Sequence, residues 1–152
     1  MIKKLLLFVI TGAILIVLIV IAVDARRISG ITLNKINNND EWQVILNENK
    51  FILKYVSYSS IAPKFGLARF EFDVGYALVR DDLPRKVKKF VSYHEIYHLY
   101  DFMNNLHQSV FAKEVHASLA AFPYEPLGGL QTVFLTITNL ERIKYYLMLL
   151  RI

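Results

Sequence analysis

His94 and His98 stand four residues apart, with Glu95 between them, in the run His-Glu-Ile-Tyr-His. On a helix, positions i and i+4 share a face, with Cβ atoms about 5–6 Å apart. Two imidazoles so placed can converge on one zinc ion at about 2.0–2.1 Å. Glu95 is turned about 100° round the axis, off the ligand line. It suits a water on the open side of the ion. Zinc brings the pKa of such a water to about 7. A carboxylate beside it can take the proton and later pass it to a leaving amine. The chemistry expected is metal-assisted hydrolysis of a peptide bond. His94 and His98 are the expected metal ligands and Glu95 the catalytic base.

Such a site needs a third protein ligand. A third histidine at the extended His-Glu-x-x-His-x-x-Gly-x-x-His spacing is absent, because position 101 is Asp and position 104 is Asn. Glu114 ranks first, since the sixteen residues after His98 allow a turn and an antiparallel return. His116 ranks second. It lies about 200° round the next helix from Glu114, so the two cannot serve one ion. Asp101 ranks third, because one helix rarely supplies three ligands to a tetrahedral ion. It fits better as an acceptor for the ring N–H of a ligand histidine. His107 falls in the expected turn and is given no role. Tyr124, Tyr145, Tyr146 and Arg142 are the candidates for stabilising an oxyanion.

His-Glu-Ile-Tyr-His followed by Glu114 on the next helix resembles the gluzincin metallopeptidases, and the short chain resembles their minimal single-domain members, the minigluzincins. The resemblance covers roughly residues 51–149, with the pentad as its specific motif. It implies His94, His98 and Glu114 as zinc ligands and Glu95 as general base and acid. It also implies an edge strand that pairs with an extended substrate, matched by residues 70–78 and led by Phe70, Phe72, Val74 and Tyr76. The chain departs from the family at Ser118, where many relatives carry an acidic residue.

The elements that must hold these residues can be read along the chain. Residues 51–58 are apolar, aromatic and β-branched and predict a strand. Residues 59–66 contain Pro63 and Gly66 and predict a loop. Residues 68–80 alternate and predict one longer strand with a bulge at Gly75. Trp42, Ile45 and Leu46 leave a short helix or a strand open near Asp40. Asp81-Asp82 offers an N-cap and Pro84 a first helical position for a helix reaching about Asn104. A second helix is expected over 109–122, a break over Pro123, Pro126, Gly128 and Gly129, and a last helix from Thr132 or Asn139. Residues 129–140 are apolar but too short for a membrane span, and are expected in the core, with interfacial contact to the bilayer as the lesser alternative.

Residues 5–23 carry no charge over nineteen positions. About 20 apolar residues cross a bilayer as a helix. The run is longer than the roughly 7–15 residues of a signal-peptide core and lacks an Ala-x-Ala end. An uncleaved anchor over 1–24 is therefore expected, then a polar linker over 25–41 (Asn34, Asn37, Asn38, Asn39, Asp40) and a domain over 42–152. Lys3 and Lys4 nearly balance Arg26 and Arg27, with a lean to an outward-facing domain. Cysteine is absent, which excludes disulfides and thiolate ligands. Outside residues 1–23 there are 16 basic against 13 acidic groups, too small a surplus for nucleic acid. Arg85, Lys86, Lys88 and Lys89 fit a solvated helix face.

The expectation is an α+β chain: one transmembrane helix, then a small zincin-like domain with a short sheet and about three helices. Its expected partners are a peptide or protein substrate and the lipid bilayer. Two rivals remain. One is a non-hydrolytic membrane protein with a structural or degenerate metal site. The other is a regulatory protease with a single partner substrate.

Overall fold

The computed structural model describes residues 2–36, 40–107 and 109–149. The chain is α+β. It opens with helix α1 (Ile2–Arg27), continues with strands β1 (Thr32–Lys35), β2 (Glu41–Leu46) and β3 (Asn49–Val56), and makes one helical turn, α2 (Tyr58–Ile61). Strands β4 (Gly66–Glu71) and β5 (Val74–Arg80) follow, then helices α3 (Arg85–Asn104) and α4 (Val110–Ala121). A 3-10 turn at Phe122–Tyr124 leads to α5 (Pro126–Ile137) and α6 (Leu140–Leu149).

The five strands form one sheet in the order β1-β2-β3-β5-β4, antiparallel except where β3 lies beside β5. Alternate residues point one way, so one face can be apolar while the other meets water. Val44, Leu46, Phe51, Leu53, Ala77 and Val79 fill that inner face and are buried. Residues 42–46 thus form a strand, because burial there alternates as the sheet requires.

Helix α3 packs on this face against β3, β4 and β5, and on its other side against α4 and α5. It is therefore buried nearly all round, through Val87, Phe90, Val91, Ile96, Tyr97 and Leu99. Any polar side chain on it must find a partner or a cleft. The expected N-cap is not used. Pro84 occupies the cap position, and Asp82 instead accepts from Arg80 Nε and Nη2 at 2.9 and 2.7 Å. The basic face is solvated as expected, with Lys88 donating to the Asp81 carbonyl and Lys89 paired with Glu125.

Several expectations are corrected. Residues 68–80 are two strands, not one with a bulge at Gly75: Phe72 and Asp73 both sit at positive φ (46° and 65°) and make a two-residue hairpin turn. Such turns match the twist of the flanking strands. Hydrophobic alternation runs through the turn, which hides the reversal. β5 therefore lies between β3 and β4, and Val74 and Tyr76 belong to an interior strand; the edge is β4. Gly128 and Gly129 are not a break but the buried contact face of α5. A Cβ on Gly128 would collide with the Lys86 carbonyl, so glycine lets α5 close on the start of α3. The rest of α5 is not core: Leu130, Val133, Phe134 and Ile137 are exposed.

Within the expected linker, residues 32–35 form strand β1, and Ile28 is fully buried. Asn37, Asn38 and Asn39 lie outside the described residues. Helix α1 is long and apolar enough to cross a membrane. Its last turns join the domain: Val20, Ile21, Asp24 and Ile28 turn one side inward, and α1 packs along α4.

The β4–β5 turn offers a direct stability test. Phe72 is fully exposed and its ring covers nothing. Non-glycine residues at positive φ are strained, and Asn-Gly is favoured in this turn type. Phe72→Asn with Asp73→Gly is expected to raise stability by about 1 kcal/mol. Thermal unfolding measures it; an unchanged or lower midpoint contradicts the turn assignment.

Candidate metal centre

Helix α3 supplies the first two candidate ligands. The His94 and His98 rings meet edge to face, with their Nε2 atoms 3.1 Å apart. The helix ends where Asn105 turns left-handed (φ 49°) and its N–H closes on the Asp101 carbonyl. Ser109 then caps α4 by accepting from the Ala112 N–H at 3.1 Å. This short reversal sends α4 back along α3, with Glu114 opposite the two histidines.

Glu114 Oε2 lies 3.4 Å from His94 Nε2, and Oε1 lies 3.5 Å from His98 Nε2. An ion bound tetrahedrally at about 2.0–2.1 Å sets its ligand atoms about 3.3 Å apart. Each histidine Nε2 thus has a different oxygen of Glu114 near that distance, and one ligand atom from each of the three residues lies within 4.8 Å of the others. The group His94, His98 and Glu114 can therefore hold a metal ion, and among the described residues no fourth acidic, histidine or cysteine side chain joins it.

The electrostatics fit this assembly. Burial alone would raise the Glu114 carboxyl, but hydrogen bonds and charge from both histidines outweigh it and hold it far below the usual range. Glu95 stands differently. It is 6 % exposed, and burial raises its carboxyl to about 7. The His98 ring pulls it down and the Glu114 charge pushes it up. One carboxylate is thus fixed as an anion among donors, and its neighbour is poised to exchange a proton near neutrality.

Sequence reading missed the residue that makes room for Glu95. A Cβ on Gly66 would overlap the Glu95 carboxyl group, so the start of β4 can approach only as glycine. The sole sequence signal was a glycine opening an alternating run. Gly66, Leu67 and Ala68 form one wall of a cleft of about 770 Å³, with His94, Glu95, His98 and Glu114 inside it and helices α4 to α6 opposite. That volume falls in the range of ligand sites. The cleft therefore meets the first half of the edge strand. Phe70 is further along β4, Phe72 is in the turn, and Val74 and Tyr76 are on β5; none of the four lines the cleft.

The other candidates separate cleanly. His116 points away from the centre, with Nδ1 on the Asp24 carboxylate. Asp101 is fully buried but accepts from His107 Nδ1, which the chain reversal after α3 brings back over it. The expected bond from a ligand histidine to Asp101 is not made: His98 Nδ1 and Asp101 Oδ2 are both buried without hydrogen-bond partners. The other ligand does find an acceptor. Ser118 Oγ lies 3.3 Å from His94 Nδ1. Were Nε2 to bind an ion, Nδ1 would carry the ring proton and could donate it to this hydroxyl. Tyr124 donates to the Ala25 carbonyl and stacks on Tyr93, outside the cleft. Arg142, Tyr145 and Tyr146 line it.

No protein-family model, no curated protein and no solved structure matches the chain.

Outer-shell partners typically contribute 10–100-fold to metal affinity. Ser118→Ala is accordingly expected to weaken metal binding by about tenfold or more, measured by competition with a chelator. Equal affinity in the two proteins would remove Ser118 from the centre.

Proposed function

We propose that this chain is a membrane-anchored zinc peptidase of the gluzincin type. The observation that carries the reading is the convergence of His94 Nε2, His98 Nε2 and the Glu114 carboxylate, one ligand atom from each residue within 4.8 Å of the others, with a buried carboxyl, Glu95, beside them in the same cleft. Nitrogen and carboxylate ligands in a tetrahedral set suit zinc. Closed structural zinc sites take four protein ligands, whereas a three-ligand set facing a cleft leaves a position for water. That difference favours hydrolysis over a purely structural ion.

His94, His98 and Glu114 would hold the ion. When bound, zinc supplies an acidified water and polarises the scissile carbonyl. Glu95 would accept a proton from the attacking water and deliver it to the departing amine. A carboxyl held near 7 by burial can do both at neutral pH. Tyr146 is the candidate oxyanion donor. Its hydroxyl is 3.4 Å from Arg142 Nη2 and feels the charges of both Glu114 and Glu95. Burial raises its pKa, so it stays protonated and able to donate. The outer edge of β4 at Gly66–Ala68, half-buried along the cleft, is where an extended substrate would pair by backbone hydrogen bonds. Helix α1, apolar over its span, would anchor the domain to the bilayer.

Glu95→Gln separates binding from chemistry. It is expected to retain bound zinc while peptidase activity falls about 10²–10⁴-fold, the range of a lost general base. Glu114→Ala is expected to lose the metal as well. Absence of zinc from the intact purified protein by elemental analysis would overturn the assignment. Gly66→Ala gives an independent test of the cleft wall: zinc should stay while kcat drops, because the new methyl displaces the Glu95 carboxyl. Full activity in that variant would place Glu95 elsewhere during turnover.

A further inference from the structure

The segment expected in the core is exposed along much of its length. Helix α5 and its flank carry no charged residue from Pro126 to Asn139. Its Leu130, Val133 and Ile137 are each 60 % or more exposed. They are not scattered. Together with Val110, Phe111 and Val115 of α4 they line the mouth of the cleft that holds the metal ligands. Contiguous exposed apolar surface of this extent marks a site of association.

The position of α1 says with what. The apolar run over residues 5–23 spans about 28 Å at 1.5 Å per residue, about the thickness of the hydrocarbon core. No length is left over to lift its end clear of the membrane. Yet Val20 and Ile21, inside that run, are already turned against the domain, and α1 packs along α4. Val20 lies about 6 Å before Asp24 along the axis. The flank of α4 therefore starts at the depth where the span is still apolar. The domain is not held off on a tether; it is set down at the membrane boundary. At that depth an exposed valine or phenylalanine is at home, and an apolar helix lying in the interface is favourable.

We propose that the apolar rim formed by α4 and α5 docks into the membrane interface, so that the cleft opens at the bilayer surface and admits chain segments lying at that boundary. This rests on α1 spanning the membrane. The chemistry of the rim fits it: acyl chains and glycerol backbones meet Leu130, Val133 and Ile137. The substrates such a cleft reaches are peptide segments beside a membrane helix or lipid attachment, rather than peptides free in solution.

The test uses the full chain in phosphatidylcholine vesicles with brominated acyl chains. Trp42→Phe removes the single native tryptophan, and one tryptophan is then placed by Val133→Trp, by Leu130→Trp as a second rim probe, or by Leu15→Trp within the span. Docking predicts strong quenching by brominated lipid, with shielding from aqueous iodide, at both rim positions and at Leu15→Trp. Quenching at Leu15→Trp alone, with the rim probes open to iodide, overturns docking and leaves the span intact. Quenching at none of the three overturns the span, and the docking with it. Rim probes shielded from iodide but untouched by brominated lipid, in a protein that crosslinks as a dimer, overturn docking in favour of a second copy covering this face.

Discussion

The Asp24 carboxylate, at the end of the apolar helix, holds three helices at one point. It is buried, and it takes Arg27 Nη1 at 2.8 Å from its own helix, the Tyr97 hydroxyl at 3.0 Å from α3, and His116 Nδ1 from α4. Tyr97 directly precedes His98, and His116 lies two residues past Glu114. α3 and α4 thus share a hydrogen-bond acceptor close in sequence to His98 and Glu114. An isolated buried carboxylate is costly, and removing one of its partners leaves that cost uncompensated. Arg27 balances the charge and also donates to the Tyr97 hydroxyl at 2.9 Å. Burial raises the Tyr97 phenol, which keeps its proton available for Asp24. Beside this knot the His107 and His116 rings stack with centroids 4.0 Å apart, and His107 in turn caps Asp101. One continuous polar chain therefore runs from the end of α1 to the far turn of α3.

This arrangement explains which parts of the centre could be read from sequence. His94, Glu95 and His98 are related by helical periodicity alone, so five residues suffice to place them. Glu114 follows from one more local fact, a reversal short enough to return within sixteen residues. His116 is a rival in sequence only because rotation about the α4 axis does not say which side faces α3. Its true partner, Asp24, is 92 residues away and has no sequence relation to it. Asp24 itself leaves a faint mark: an acidic residue at the edge of an apolar run, three before an arginine. The role of Ser118 is equally hidden, because a hydroxyl replaces the carboxylate that the resemblance implies and only the approach of α4 shows that it still reaches His94.

The fold is legible where one face of an element meets one environment. The long central helix and the sheet strands follow from periods of 3.6 and 2. The misreadings share a cause of the opposite kind. The turn at Phe72-Asp73 carries an aromatic where turn chemistry favours asparagine or glycine, so alternation continues unbroken through a reversal. Gly128-Gly129 reads as punctuation because glycine breaks helices by propensity. Here it permits the close approach of α5 to the Lys86 backbone, and packing outweighs propensity. Residues 129–140 are expected in the core because apolar residues usually lie there. Their exposure instead leaves the lesser alternative, contact with the bilayer interface.

The same geometry bears on how the centre handles charge. Glu95 and Glu114 lie close enough for each to affect the other's neighbourhood, yet their environments drive them apart: burial against Gly66 raises one, and two imidazoles lower the other. A pair of carboxyl groups pushed in opposite directions is the arrangement that separates a ligand from a proton carrier within one cleft. The separation is made by packing rather than by the ligands themselves. β4 presses on Glu95 because its first residue has no side chain, and Arg142 helps hold the chain just before β4 by donating to the Pro63 carbonyl at 2.8 Å and lying over the Phe65 ring. Arg142 is on α6, and α6 joins the domain through α5. The burial of Glu95 therefore depends in part on α6, which packs on α5, one of the two helices of the apolar rim.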